Sequence, residues 1–286
     1  MQDTLFQEQY QKLNPEQKEA VDTLYGPVMV VAGPGTGKTQ IIGMRTANIL
    51  RETDTDPGSI LITTFTEAGV IAIRERLISF IGNEAYKVNV STIHSFASGV
   101  IERFPEKFIE YRTAKAIDDV EQIEVIKQIL DLLIEKKQII ELTSEYDRYF
   151  YLRDIKSKIS TLKQEGINVG GLQAAIKQEQ TLHAEELALI KPKKSGEMPK
   201  KYETTKERQE KQIAKLEELV LLFQEYNAWL RSNSSYDFND MINFVLEKFG
   251  QDEDLLLYYA EKFQFIMLDE YQDTNNAQNE IIKLIV

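Results

Sequence analysis

The sequence has no cysteine and only two histidines, His94 and His183, among its 286 residues. Disulfides and thiolate metal sites are therefore excluded, and a histidine-based metal site is disfavoured. No apolar run approaches the roughly 18–20 residues that a membrane-spanning helix needs. The first residues are polar and carry no signal peptide. We therefore expect a soluble intracellular protein of the cytoplasm, with no membrane partner.

Positive charge is outnumbered, since 34 Lys and Arg stand against 46 Asp and Glu and the formal net charge is −12. It is concentrated in residues 151–215, which hold 14 Lys and Arg against 9 Asp and Glu, a net charge of +5. The acidic balance of the whole chain disfavours a nucleic-acid partner, but the basic region leaves room for one. An ordinary solvated face is the alternative explanation for such a lysine-rich region.

A glycine-rich stretch fits the phosphate-binding pattern G-x-x-x-x-G-K-[ST]. Its residues are Gly33, Pro34, Gly35, Thr36, Gly37, Lys38 and Thr39. Residues 28–31 before it predict a buried strand, and residues 40–50 after it have helical spacing. Successive backbone N–H groups of such a loop face one phosphate, while Lys38 reaches the β- and γ-phosphates and Thr39 binds Mg²⁺. The stretch predicts a site for ATP and Mg²⁺.

Strands and helices alternate at both ends of the chain. Residues 60–65 and 89–92 predict strands, each followed by a helix, and residues 263–268 predict another buried strand. The pattern predicts an α/β fold with a parallel sheet flanked by helices, whose ligands bind at the carboxyl ends of the strands. Phe65, Thr66, Thr92 and His94 fall at such ends. Core packing is the alternative for Phe65 and Phe96, and a structural hydrogen bond is the alternative for His94.

No strand is evident from 109 to 235, where residues 118–137, 146–164 and 205–231 predict helices. The chain therefore reads as an α/β domain with an all-helical insertion. Helical spacing returns at 236, with Asp237 or Asn239 as the cap, and again from 252 to 261. The apolar end at 281–286 has no helix stop signal, so we expect a longer protein.

Two acids, Asp269 and Glu270, follow the last predicted strand. Beside a phosphate loop, the first of them would hold Mg²⁺ and the second would polarise the attacking water. Near the other end of the chain, Asn14 and Pro15 predict a helix start. The amide of Gln17 matches the hydrogen-bonding edge of adenine, although a surface glutamine is the default explanation.

Several segments together resemble the N-terminal half of the superfamily 1A helicases of the UvrD/Rep/PcrA type. They are residues 13–17, 32–39, 63–66, 90–96, 236–240 and 269–275. The resemblance implies a RecA-like P-loop NTPase domain 1A, formed by residues 1–108 and 236–286, with residues 109–235 as a helical insertion similar to domain 1B. It also implies an ATP-dependent DNA helicase or translocase that moves 3′ to 5′ on single-stranded DNA in DNA repair or replication restart.

The resemblance also implies a role for individual residues. Gln17 would read adenine, Lys38 and Glu270 would be catalytic, and Thr39 and Asp269 would hold the metal. The nucleotide site would extend to Gln40, where the family often has an arginine. The residues expected to touch DNA are Phe65, Thr66, Thr92, His94 and Phe96.

Two departures qualify these expectations. Residues 67–69 are Glu-Ala-Gly where the family often has Asn-Lys-Ala, which removes a cation near the expected DNA path. The family's second RecA-like domain, which completes the ATP site, is not within these 286 residues, so we expect weak or no hydrolysis by this segment alone. A helicase–nuclease with a nuclease or repair partner, or a nucleotide-binding regulatory module that does not translocate, remain the alternatives.

Overall fold

The computed structural model describes residues 2–33, 35–193 and 195–286, which form two compact units. The first unit combines the residues up to 107 with residues 244–286, and the second consists of residues 108–243. The first unit is therefore formed by two segments of the chain, and the second unit is inserted between them in the sequence. Among the residues that the structure describes, no helix is both long and apolar enough to cross a membrane.

The helices are distributed over both units. In chain order they are α1 (Gln2–Gln11), α2 (Pro15–Asp22), α3 (Lys38–Glu52), α4 (Glu67–Ile81), α5 (Ile93–Arg103), α6 (Ile109–Arg112), α7 (Asp119–Glu135), α8 (Leu152–Gln164), α9 (Val169–Ala188), α10 (Lys200–Ser232), α11 (Asp240–Gln251), α12 (Glu253–Lys262) and α13 (Asn276–Ile285). Short 3₁₀ turns lie at Pro57–Ser59, Gly82–Tyr86 and Tyr271–Asp273. The boundary between the two units falls within α11.

A three-stranded parallel sheet forms the centre of the first unit. Its strands are β1 (Ile60–Thr64), β2 (Asn89–Thr92) and β5 (Phe265–Leu268), in the order β2-β1-β5. Two further short strands, β3 (Lys115–Ala116) and β4 (Ser235–Tyr236), form a separate two-stranded sheet in the second unit. Ile62 of β1 lies opposite Val90 on one side and Met267 on the other. Because all three strands are parallel, the residues that follow them lie at the same edge of the sheet.

Local sequence explains most helix boundaries in the first unit. Asn14 caps α2 and forms a capping box with Gln17, while Thr66, Thr92 and Asp252 cap α4, α5 and α12 through their side chains. Apolar residues of α3 and α4 then pack on the face of the sheet that carries Ile60 and Ile62, and against α1. The buried residues at the centre of these clusters are Phe6, Val21, Met44, Ile49, Ile60, Ile62, Ile73 and Leu77.

The second unit is almost entirely helical and has one continuous apolar core. Its largest fully buried side chains are Tyr226 and Phe223 of α10, together with Ile126 and Leu130 of α7. A buried polar network lies beside this core. The ammonium of Lys163 contacts the carboxylates of Asp237 at 2.6 Å and Asp240 at 2.7 Å, and the Tyr226 hydroxyl donates to Asp237 at 2.9 Å.

The predicted strand at residues 28–31 is wrong. The backbone of this stretch is irregular, and the side chains of Met29 and Val31 are 84% and 85% exposed. Apolar β-branched residues favour a strand only where a neighbouring strand supplies hydrogen-bond partners. In the sheet as described, β5 pairs with β1 and no strand pairs with residues 28–31.

Three smaller expectations for the middle of the chain also change. The helix predicted from residue 146 begins only at Leu152, because residues 146–151 form turns. Residues 169–188 form α9, which the sequence patterns did not single out. The stretch predicted to lack strands contains β3, which pairs in parallel with β4 at Lys115 and Ser235. Two-residue strands leave too short a pattern to be found from sequence.

Candidate functional site

The glycine-rich loop leads directly into the first turn of α3. Gly35 and Gly37 have φ angles of +74° and +87°, which L-amino acids with side chains rarely adopt. The hydroxyl of Thr36 donates to the Gly33 carbonyl at 2.7 Å and closes the loop on itself. Pro34 lies outside the described residues. The loop therefore places unpaired N–H groups of a helix N-terminus at its end, the arrangement that binds phosphate.

Gln17 connects α2 to the phosphate loop. Its Oε1 accepts from the Asn14 backbone N–H at 3.0 Å, and its Nε2 donates to the Thr36 carbonyl at 3.1 Å. Both ends of the amide are therefore engaged within the protein. The sequence pattern predicted an adenine contact for Gln17, whereas the observed contacts fix the position of the loop relative to the helix.

Lys38 and Glu270 form an ion pair across the site. The Nζ of Lys38 lies 3.3 Å from the Oε1 of Glu270, and the two side chains are 26% and 35% exposed. Glu270 has φ of +53°, an uncommon backbone conformation for a residue other than glycine. Strain of this kind persists where surrounding contacts hold a residue in place, and it is frequent at functional sites. The turn after β5 thus directs this carboxylate towards the phosphate loop.

Asp269 directly follows β5 and is 9% exposed. Its backbone N–H donates to the Thr63 carbonyl at 2.8 Å, and one carboxylate oxygen accepts from the Thr64 hydroxyl at 3.4 Å. Burial and the neighbouring charge of Glu270 raise the pKa of the Asp269 carboxyl. The pKa of Glu270 is lowered, first by a hydrogen bond from the Gln272 amide and then by Lys38.

This donor set suits a magnesium ion. Mg²⁺ binds oxygen ligands, and one or two carboxylates commonly hold it together with phosphates. A divalent cation next to Asp269 would offset the burial and the like charge that raise its pKa. Thr39, the residue expected to supply a hydroxyl ligand, lies half-buried in the first turn of α3 next to Lys38. Among the described residues there is no cluster of three or more His, Cys, Asp or Glu that could form an all-protein metal site.

The side chain of Gln40 contacts residues of α1 and α3. Its Nε2 lies 3.4 Å from the Oε1 of Gln9 on α1 and 4.0 Å from the sulfur of Met44. These contacts attach the N-terminal helix to α3. The nucleotide contact expected at Gln40 stays a prediction.

The expected DNA residues divide into exposed and buried ones. Phe65 follows β1 with 55% of its surface exposed, so its ring is open to a partner. The hydroxyl of Thr66 caps α4 by accepting from Gly69 N–H at 3.0 Å. Thr92 caps α5 by accepting from Ser95 N–H at 3.1 Å. His94 is half-buried in the first turn of α5, and burial lowers its pKa.

Phe96 requires a correction. It is 8% exposed, and its ring packs edge-on against Tyr259 with 5.5 Å between centroids and against Phe263 at 6.1 Å. A ring enclosed in this way has no open face on which a base could stack. The alternative explanation given by the sequence, core packing, is the one that the geometry supports.

Glu67 was missed as a site residue. Its Oε1 accepts from the hydroxyls of Thr92 at 3.3 Å and Ser95 at 3.0 Å, so a carboxylate occupies the polar start of α5. The sequence signal was the departure from the family pattern at residues 67–69. That departure showed the loss of a cation, but it did not show that the Glu67 carboxylate would contact the start of α5. Thr64 and Gln272, which contact Asp269 and Glu270, gave no signal of their own.

A glycine loop at a helix start, next to two acids at the end of a parallel strand, is the arrangement of P-loop nucleotide-binding proteins. The chain belongs to the UvrD/REP helicase family, whose N-terminal-domain model matches residues 13–286. It is similar to the ATP-dependent DNA helicase PcrA of Staphylococcus aureus and of Staphylococcus epidermidis, each 30% identical over 273 residues. The match covers 96% of this chain and 31% of each relative, so the chain spans about a third of their length.

Proposed function

We propose that this chain supplies the ATP-binding portion of an ATP-dependent DNA helicase or translocase. The observation that carries the proposal is the convergence of Lys38, Asp269 and Glu270 within the first unit. These residues come from distant parts of the sequence, yet Lys38 and Glu270 are 3.3 Å apart. Membership of a helicase family and similarity to proteins named as DNA helicases support the same conclusion.

Each residue has a distinct task in the proposed ATP site. Backbone N–H groups at the start of α3 receive the phosphates, and Lys38 exchanges its contact with Glu270 for the γ-phosphate. Thr39 and Asp269 hold Mg²⁺, which neutralises charge on the phosphates when bound. Glu270, released from Lys38, is then the carboxylate that orients a water molecule for attack. Gln17 holds the Thr36 carbonyl and so keeps the loop in its curled form.

The architecture belongs to the same proposal. The first unit would be the RecA-like domain 1A of such a helicase, with its sheet, phosphate loop and acid pair. The helical second unit would correspond to the inserted domain 1B. Its residues lie, in the sequence, between the two segments that form the first unit, and it is nearly all helical; both facts support this correspondence.

Single-stranded DNA is the proposed second substrate. At the carboxyl edge of the sheet, where parallel sheets bind ligands, Thr92 ends β2 and the other three residues follow β1 or β2; they are Phe65, Thr66 and His94. The exposed ring of Phe65 suits stacking on a base, and the threonine hydroxyls suit hydrogen bonds to phosphate. Phe96 is not included, because its ring is packed in the core.

The test is ATP hydrolysis by the intact protein, measured with and without single-stranded oligothymidylate, with Glu270→Gln as the control. We expect stimulation by DNA, and loss of hydrolysis in the variant by a factor of about 10² or more. An ATP hydrolysis rate that DNA does not change would contradict a DNA-dependent motor and favour the nucleotide-binding regulatory module. A variant that retains full hydrolysis would remove Glu270 from its proposed role.

The direction of movement is a finer part of the proposal and has its own measurement. Streptavidin bound to a biotin at the 5′ end of an oligonucleotide is displaced by a 3′-to-5′ translocase, and streptavidin at the 3′ end is not. Faster displacement from the 3′ end would contradict the proposed polarity. DNA cleavage during the same reactions would instead favour a helicase–nuclease, and its absence would favour a helicase acting in repair or replication restart.

A further inference from the structure

An open cleft of about 430 Å³ lies between α8 and α10 in the helical unit. One face of each helix lines it, because the lining residues recur at intervals of three and four positions. On α8 and the turn before it these are Tyr151, Asp154, Ile155 and Lys158, and on α10 they are Arg208, Lys211, Gln212, Lys215, Leu216 and Leu219. Leu142 completes the cleft.

The floor of the cleft is aliphatic. Leu142, Ile155 and Leu219 are each less than a tenth exposed and belong to the apolar core of the unit, while Leu216 packs against that core and is partly exposed. Branched aliphatic side chains at the bottom of a cleft bind another apolar group without directional contacts. The volume lies within the range of small ligand sites and accommodates one or two large side chains.

The rim of the cleft is cationic. Lys158, Arg208, Lys211 and Lys215 surround the floor, and Asp154 is the single acid among the lining residues. This local excess of positive charge stands in a chain whose net charge is −12. Complementary charge across an interface accelerates encounter and selects the partner.

Two of the four rim cations are already engaged and two are not. Lys215 donates to the Tyr151 hydroxyl at 2.9 Å and lies over its ring, and Lys211 is 3.4 Å from Glu141. Lys158 and Arg208 have no ion pair with any residue that the structure describes, and both are exposed. These two charges are available to an incoming anion without breaking an existing contact.

We propose that this cleft binds an acidic segment of a partner protein, which inserts one large apolar side chain between α8 and α10. Carboxylates flanking that side chain pair with Lys158 and Arg208. The combination of an apolar floor and a cationic rim matches such a segment in both respects. This role would explain the excess of basic residues in 151–215, which have no part in the proposed ATP site.

A peptide fits the cleft better than a nucleic acid. Binding of single strands relies on aromatic platforms for the bases as well as on cations. The one aromatic lining residue, Tyr151, already has its hydroxyl and its ring in contact with Lys215. Buried leucine and isoleucine offer nothing that a phosphate or a base edge would use.

The direct experiment is fluorescence anisotropy of a labelled synthetic peptide, rich in aspartate and glutamate around a central phenylalanine, titrated with the intact protein. We expect binding that weakens at least about tenfold in the double variant Lys158→Glu/Arg208→Glu. The matched control is Lys177→Glu/Lys201→Glu, which makes the same change in charge at exposed positions of the same unit outside the cleft. The control should change the affinity by less than about twofold.

Two peptide variants separate the two halves of the recognition. Replacing the phenylalanine with alanine removes the apolar anchor, and replacing the acids with their amides removes the charge. Each should reduce the affinity at least about tenfold, and raising NaCl from about 50 to about 300 mM should weaken the parent peptide. Absence of binding, or equal losses in the cleft variant and the control, would overturn the proposal.

The same protein sample can be tested for two other occupants of the cleft, a nucleic acid and a second copy of the chain. Oligothymidylate that displaces the peptide and binds more tightly than it, with a loss in Lys158→Glu/Arg208→Glu, would overturn the proposal in favour of nucleic acid. Concentration-dependent dimers in sedimentation that the same variant abolishes would overturn it in favour of a second copy of the chain. Neither result bears on ATP hydrolysis, so the proposed function is tested separately.

Discussion

The ammonium of Lys38 lies 3.3 Å from the carboxylate of Glu270, so the cation of the phosphate loop is paired with the acid that follows β5. A nucleotide must compete with this pair, because the γ-phosphate and Glu270 would use the same ammonium group. The pair is partly exposed, and pairs of that kind are weak. Glu270 therefore has two expected effects, one on hydrolysis and one on binding.

The first prediction concerns nucleotide affinity. Glu270→Gln removes the competing charge and should bind a fluorescent ATP analogue about two- to fivefold more tightly, as expected from the strength of an exposed ion pair. Lys38→Met should lose most of the affinity in the same titration. Glu280→Gln is the control, because it also removes one negative charge from an ion pair, the one that Glu280 forms with Lys283 on α13. Unchanged or weaker binding by Glu270→Gln would show that the pair does not oppose the nucleotide.

The second prediction separates two contacts of Gln17. Glu at this position can still accept from the Asn14 N–H, but it cannot donate to the Thr36 carbonyl. Gln17→Glu should therefore retain the unfolding free energy within about 0.5 kcal/mol, whereas Gln17→Ala should lose about 1 kcal/mol. Both variants should bind nucleotide more weakly. Urea unfolding and nucleotide titration of the two variants provide the measurement. An unchanged nucleotide affinity in Gln17→Glu would show that the hydrogen bond from Gln17 to the Thr36 carbonyl does not contribute to nucleotide binding.

The third prediction concerns Glu67, whose carboxylate accepts from Thr92 and Ser95. Under the proposed function these hydroxyls lie on the DNA path, so Glu67 would compete with a DNA phosphate for them. Glu67→Gln should raise the affinity for oligothymidylate about two- to tenfold, because it removes one repulsive charge and weakens the competing hydrogen bonds. Glu75→Gln, at an exposed position of the same helix, is the control. Equal changes in both variants would indicate a general charge effect and no competition.

The fourth prediction concerns the stability of the helical unit. Lys163 is 4% exposed and contacts both Asp237 and Asp240, and burial raises the pKa of Asp240 despite that contact. Lys163→Met leaves two buried carboxylates without their cation and should lower the unfolding free energy by about 3–5 kcal/mol. The single tryptophan, Trp229, packs against the core of this unit, so its fluorescence reports the unfolding in urea.

The control for the fourth prediction is Lys158→Met on the same helix. Lys158 is exposed and should tolerate the change within about 0.5 kcal/mol. A loss below about 1 kcal/mol in Lys163→Met would mean that the buried carboxylates take up protons or water at little cost.

Much of the fold followed from local sequence. The starts of α2 and α12 were set by Asn14 and Asp252, whose side chains accept from N–H groups of the first turn. β1 and β5 were short apolar runs followed by polar residues, and β2 was the short stretch Asn89–Thr92. All three strands formed, although β5 begins two residues later than predicted. These features depend on neighbours within a few residues, which is why a single sequence reveals them.

Other features depended on partners from distant parts of the chain. Residues 28–31 have a strand-like composition, but a strand forms only where another strand pairs with it, and none of the described strands does. Phe96 belongs to a motif expected to touch DNA, yet Tyr259 and Phe263 enclose its ring. The interaction of Glu67 with the start of α5 likewise required β1 and β2 to be placed side by side.

The sequence by itself determined the chemistry that is available: a phosphate loop ending in Lys38, the acids Asp269 and Glu270, and a basic helical stretch, because these are properties of residue type and spacing. Only the tertiary structure decided which groups meet. It paired Lys38 with Glu270, engaged both ends of the Gln17 amide, and collected the rim cations above an apolar cleft. Contacts between residues far apart in sequence depend on how strands and helices pack, and no local pattern encodes that packing.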